Sequence, residues 1–239
     1  MKKIVFPFLG VLMLVFSSCI DKGNNIQSFG QVAAVVGYSS SGLPVIQTYN
    51  DSFVVPELSD YLLTDLNIGD PVLAYFDINF DNQPSTEYYT ISNFEYVKVG
   101  KGYPEGTPEG KSRYDDFSEE VGDVFVIDMV HNILFLGIRL IVSESQTIEY
   151  ELTFDPEEEV KDNIPTLYLR VRKSGTGTES LYNLPYAFDM SYASSFLSPY
   201  RDASTNQVKV NIKCKTGVND EGEDEYKLGS YNPYTLVIK

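Results

Sequence analysis

Val72-Leu-Ala-Tyr-Phe-Asp-Ile-Asn-Phe80 alternates residue by residue, with Ala74, Phe76, Ile78 and Phe80 on one side and Tyr75, Asp77, Asn79 and then Asp81 on the other. Successive side chains of a β-strand point to opposite faces, so this is a strand with one face in a core and one toward water. The flanks agree. Gly69-Asp70-Pro71 stops what precedes, residues 81–85 make a polar turn, and residues 87–99 alternate again. Upstream, Pro56-Glu57 opens a segment in which Leu58, Tyr61, Leu62 and Leu66 share a helical face. Before it stand three strand-like stretches, residues 30–38, 43–49 and 52–55, separated by turns at 39–42 and at Asn50-Asp51. Three strands, one helix and two more strands is the order of a five-stranded OB-type barrel, assigned here to residues 29–99.

Residues 100–120 change character. Pro-Glu-Gly occurs at 104–106 and again at 108–110, with charge and no apolar periodicity, the signature of a linker or exposed loop. Residues 121–239 return to short strands, expected at 124–129, 133–142, 147–154, 166–173, 185–192, 208–214, and from Tyr226 or Tyr234 onward. Seven short strands and no long helix predict an antiparallel β-sandwich. The fold class is therefore all-β with one short helix, a barrel followed by a sandwich.

The N-terminus carries a separate message. Lys2 and Lys3 precede an apolar run to Phe16, and Ser17-Ser18-Cys19 follows it. A run of about 13 residues spans roughly 20 Å as a helix, short of a hydrocarbon core of about 30 Å. Residues 1–18 thus read as a removed signal peptide, and Cys19 as a lipidated first residue of the mature chain. Residues 19–28, polar from Asp21 to Asn25, form a tether. The expectation is an exported protein held by lipid at the cell envelope, at the outer membrane, on a face the sequence leaves open.

Charge narrows the partners. The whole chain carries a net −16, and residues 26–98 hold nine acids against one base, Lys98. Nucleic-acid binding needs cations to replace counterions on phosphate, which this region lacks. Attraction to anionic lipid fails for the same reason. Once Cys19 is acylated only Cys214 remains, so an intramolecular disulfide is ruled out. Cys214 shares strand parity with Val208, Val210 and Ile212 and reads as a core residue.

Catalytic signatures are weak. His131 is the single histidine, placed between two expected strands where a turn belongs. Asp77, Asn79 and Asp81 have the spacing of a calcium loop, but Asn82 stands where Gly makes the turn and Tyr88 where Glu ligates. Strand alternation explains that spacing, and the acidic run 219–225 reads as a hairpin loop. No cofactor is expected, and the chain is read as a binding protein and not an enzyme. One feature stands out on an acidic background: Arg170 and Arg172 share one face of a strand, and Lys209, Lys213 and Lys215 share the outer face of another. If neighbouring, those strands would carry a basic stripe for an anionic partner.

Taken together, Ser17-Ser18-Cys19, the strand–helix–strand order, and segments such as Thr166-Leu-Tyr-Leu-Arg170 and Tyr186-Ala-Phe-Asp-Met190 resemble the NigD-like lipoproteins of the Bacteroidetes. The resemblance spans nearly the whole mature chain. It implies a lipid anchor, an OB-type domain and a β-sandwich, and it hints at bacteriocin immunity; it supplies no active-site residues. A protein, a bacteriocin or a glycan are the partners to consider.

Overall fold

The computed structural model describes residues 25–55, 61, 64–83, 88–114 and 116–237. The signal segment 1–18, Cys19, residues 20–24 of the tether, and Leu58 and Leu62 of the expected helix lie outside the described residues. The chain forms two compact units, residues 1–98 and 99–239.

In the first unit β1 (Ile26–Tyr38), β2 (Pro44–Gln47), β3 (Ser52–Val54), β4 (Pro71–Asn79) and β5 (Tyr89–Lys98) close into a barrel in the order β1-β2-β3-β5-β4. The β3–β5 pair is parallel and the other four are antiparallel. The alternation of β4 holds: Ala74, Phe76 and Ile78 are buried while Tyr75, Asp77 and Asn79 are half-exposed. They meet Ala34, Val36, Ile46, Phe53, Ile91 and Phe94 in one core. Phe80 departs from the pattern, because the chain turns into a 3-10 helix at Phe80–Asn82 and carries the ring out of the strand. Within the expected helix Tyr61 and Thr64 are helical, the Asp65 N–H donates to the Tyr61 carbonyl at 2.8 Å, and Leu66 is buried.

The second unit packs two sheets. One runs β14-β13-β11-β10-β7, with β15 also on β13, and the other runs β6-β12-β9-β8. The first is built from β7 (Glu105–Gly106), β10 (Thr147–Phe154), β11 (Thr166–Ser174), β13 (Gln207–Val218), β14 (Asp224–Leu228) and β15 (Tyr234–Val237). The second is built from β6 (Gly100–Gly102), β8 (Asp123–Val130), β9 (Ile133–Val142) and β12 (Ser180–Asp189). Leu134, Leu136, Ile138 and Leu140 from β9 face Leu152, Leu167, Leu169, Val210 and Ile212 across the core. Each such side chain contributes about 1.5–3 kcal/mol when taken out of water. The sandwich is mainly antiparallel, but β11–β13, β10–β7 and β12–β6 are parallel.

The stretch read as a linker, 100–120, differs from that expectation. Residues 100–102 and 105–106 are edge strands of the two sheets. Strands of two or three residues are too short to show alternation, so composition alone reads them as loop. At one end of the sandwich, residues 229–234 cross between sheets: the Ser230 N–H donates to the Val124 carbonyl at 3.0 Å, and the Tyr234 hydroxyl donates to the same oxygen at 3.0 Å.

Candidate functional site

The outer face of the larger sheet collects the residues of the basic stripe. Strands β11 and β13 are neighbours, with Tyr168 opposite Lys213. On either side Arg170 lies opposite Glu151 of β10, and Lys215 opposite Tyr226 of β14. Arg170, Arg172, Lys213 and Lys215 are therefore brought together. Lys209 is not; it sits where β13 pairs with β15, opposite Thr235.

The stripe is not a bare cationic surface. Residues 107–114 and 116–121 pass over it as a strap. The Thr153 hydroxyl donates to the Gly110 carbonyl at 2.6 Å, the Glu119 N–H donates to the Val171 carbonyl, and the Val121 N–H donates to the Lys215 carbonyl at 2.8 Å. Gly110 has φ +60, and a Cβ there would come within 2.8 Å of the Tyr168 ring, so only glycine fits this crossing. Beneath the strap Arg170 is 4% and Lys215 5% exposed. Buried cations need partners. Arg170 donates to the Tyr226 hydroxyl at 2.9 Å and to Thr153, and lies over the Tyr168 and Tyr226 rings. Lys215 pairs with Asp224 at 2.6 Å. Arg172 pairs with Asp116 of the strap and with Glu149, lies over Phe117, and is held above the ordinary guanidinium range by those carboxylate hydrogen bonds.

Where the strap ends, the face opens into a cleft of about 300 Å³ lined by Glu158, Glu159, Lys161, Asp162, Ile164, Thr166, Asn211 and Lys213. The connection between β10 and β11 forms one wall and β13 the other. Burial pushes the Glu158 carboxyl above its usual range, against the pull of Lys213. Glu158 Oε2 is buried and no hydrogen bond reaches it. The cleft thus offers donors from Lys161, Lys213 and Asn211, and acceptors from the carboxylates and Thr166. It sits at the small end of ligand sites, about 300–1,000 Å³, and suits one side chain or sugar ring of a larger partner. Only Lys213 of this cleft was singled out from sequence. The acids of 158–162 carry no motif that separates them from other surface carboxylates.

The remaining candidates have local structural roles. His131 occupies the turn between β8 and β9 with φ 55. Asp77 accepts from Asn93, Asn79 caps the Phe80–Asn82 turn through the Asp81 N–H, and Asp81 accepts the Asn25 N–H. Asn219 organises the β13–β14 hairpin by accepting from the Glu221 and Glu223 N–H groups. Cys214 is fully buried in the sandwich core, with its thiol pushed up to about 11 by burial.

The fold recurs in solved structures. The chain superposes on an uncharacterized protein from Parabacteroides merdae with a TM-score of 0.68 at 18% identity, covering 84% of this chain and 95% of that one. It superposes on a NigD-like immunity protein from Bacteroides caccae with a TM-score of 0.53 at 14% identity, covering 89% and 98%. The chain shares its fold with that NigD-like immunity protein. A protein of unknown function from Bacteroides vulgatus also shares it, with a TM-score of 0.57 at 16% identity, covering 86% and 91%. No family model matches the sequence, and no curated protein does. The NigD-like resemblance read from the sequence is thus carried by the fold.

Proposed function

We propose that this chain is a lipid-anchored cell-envelope protein that binds a protein partner and catalyses no reaction of its own. The cleft carries the reading: it sets Lys213 and Asn211, held by a sheet, beside three acids and Lys161 on the connecting segment. Mixed donors and acceptors on a rigid element give orientation and specificity to a docked polar chain. The signal ending in Cys19 supplies the anchor, since acyl chains hold a membrane by about 0.8 kcal/mol per buried methylene.

A photo-crosslinking residue at Asn211, in cells of the natural host, tests the binding role. A discrete crosslinked protein that disappears on Lys213→Glu supports it. Turnover of a polysaccharide or peptide by the purified protein, lost on one carboxylate substitution, would overturn it. Radioactive palmitate incorporated by the wild type and absent from Cys19→Ala tests the anchor.

A second reading, bacteriocin immunity, is favoured by the shared fold with the immunity protein from Bacteroides caccae. Deleting the gene should raise sensitivity to the cognate toxin, and unchanged sensitivity would remove this reading.

A further inference from the structure

We infer that one end of the barrel, the end carrying Ile26, Tyr49 and Phe80, lies on the bilayer surface and inserts apolar side chains among the lipid headgroups. The inference rests on the lipid anchor at Cys19. Six peptide steps separate Cys19 from Asn25, and a fully extended chain covers at most about 21 Å over that length. Asn25 is fixed to the barrel: its N–H donates to Asp81 Oδ2 at 3.0 Å, and its carbonyl accepts the Phe80 N–H at 2.9 Å. Ile26, the next residue, already pairs with Asn79. An acylated Cys19 therefore holds Asn25, and with it this end of the barrel, within about 21 Å of the membrane.

Strand directions place three segments at that end. Strand β1 starts there, antiparallel β4 ends there, and β5 and its parallel neighbour β3 start there. The start of β1, the β2–β3 turn and residues 80–83 after β4 consequently share it. Each presents a large apolar side chain to solvent: Ile26 at 48%, Tyr49 at 42% and Phe80 at 36% exposure. Phe80 is rigidly mounted. Its ring meets Tyr89 edge-on at 5.8 Å, and Tyr89 stacks on Phe53 in the barrel core. Rigid aromatic and aliphatic groups at a membrane-proximal face are what the headgroup region accepts.

Electrostatics selects the lipid. Asp51 and Asp81 belong to the β2–β3 turn and the β4–β5 connection, and residues 26–97 contain no Lys or Arg. Contact is therefore apolar, favoured on a zwitterionic surface and opposed by an anionic one.

The chain has no Trp, so one substitution makes a single reporter. Acylated full-length Phe80→Trp, with Leu43→Trp at the opposite end as reference, is reconstituted into phosphatidylcholine vesicles containing lipid brominated near the headgroup. Phe80→Trp should shift to the blue and lose most of its emission to bromine, whereas Leu43→Trp keeps nearly all of it. Adding phosphatidylserine should weaken the quenching at Phe80→Trp. Tyr49→Trp repeats the measurement should Phe80→Trp fail to fold. Equal, weak quenching at both ends in protein that floats with the vesicles overturns the inference and leaves the anchor standing. Protein that neither floats nor takes up palmitate removes anchor and inference together. A blue shift without quenching, accompanied by a dimeric mass, assigns the face to a second copy and also overturns it.

Discussion

The Arg172 guanidinium meets the Asp116 carboxylate at 2.6 Å, joining residues 56 positions apart in the chain. Arg172 belongs to the stripe that reads as an anion site, and Asp116 to the stretch that reads as a linker. Each explains the other. Arg172 helps to tie the strap down, and its charge is shared between Asp116 of the strap and Glu149 of β10.

Asp116→Ala should loosen the strap without unfolding the sandwich. The pair lies at the surface, so the change leaves global stability nearly unchanged. Trypsin reads the local effect, since Lys111 and Arg113 lie on the strap. Cleavage there should accelerate in the variant, and added salt should accelerate it in the wild type by screening the same contact. Equal cleavage of wild type and variant would mean that the backbone bonds alone hold the strap.

Gly229→Ala should destabilise the second unit, because a Cβ would overlap the Val124 carbonyl oxygen of β8, which backbone pairing holds in place. Overpacking of this kind costs about 1–3 kcal/mol. Gly217→Ala is the matched control, its Cβ meeting only Glu120 Oε1 at 3.8 Å. Urea midpoints should fall for the first and stay for the second. Equal midpoints would contradict the crossing described at residues 229–234.

Glu158→Gln should stabilise the protein at neutral pH and not at acid pH. Burial raises the folded carboxyl above its ordinary value of 4.5, so the native state binds more protons than the unfolded chain between the two values. The ionised carboxylate therefore penalises the native state above the folded value, and the penalty fades as pH falls through that value and is gone below 4.5. Melting curves near pH 7 and at about pH 3.5 should show the variant ahead only at the higher pH. A constant gain at both would trace the effect to packing instead.

Native protein should show no thiol reactive toward a disulfide reagent. Cys214 is buried with its thiol near 11, so roughly one molecule in a thousand would carry thiolate at pH 8. Its labelling should follow unfolding. One fast-reacting thiol in folded, full-length protein would identify an unacylated Cys19.

The barrel was legible because its signals are local. Alternation in residues 72–80 fixed which side chains enter the core, and Gly69-Asp70-Pro71 marked where β4 begins. Parity places Phe80 on the core face, but the strand turns into a 3-10 helix before it, and that turn depends on Asn79 accepting the Asp81 N–H. The cleft was barely legible. Lys213 was visible through strand parity, but Glu158 is marked only by burial, which no neighbour in sequence supplies.

By itself the sequence determined the all-β class, the order of barrel and sandwich, the inward faces of most strands, and the low positive charge of the barrel. Those follow from a two-residue period and from composition, both of which act within a few residues. Tertiary structure alone decided that β11 lies parallel to β13, that Tyr168 faces Lys213 across 45 positions of chain, and that the strap crosses the arginines of β11. Strand pairing joins backbone groups that all strands share, so the choice of neighbour is made by how the two sheets bury their apolar faces together.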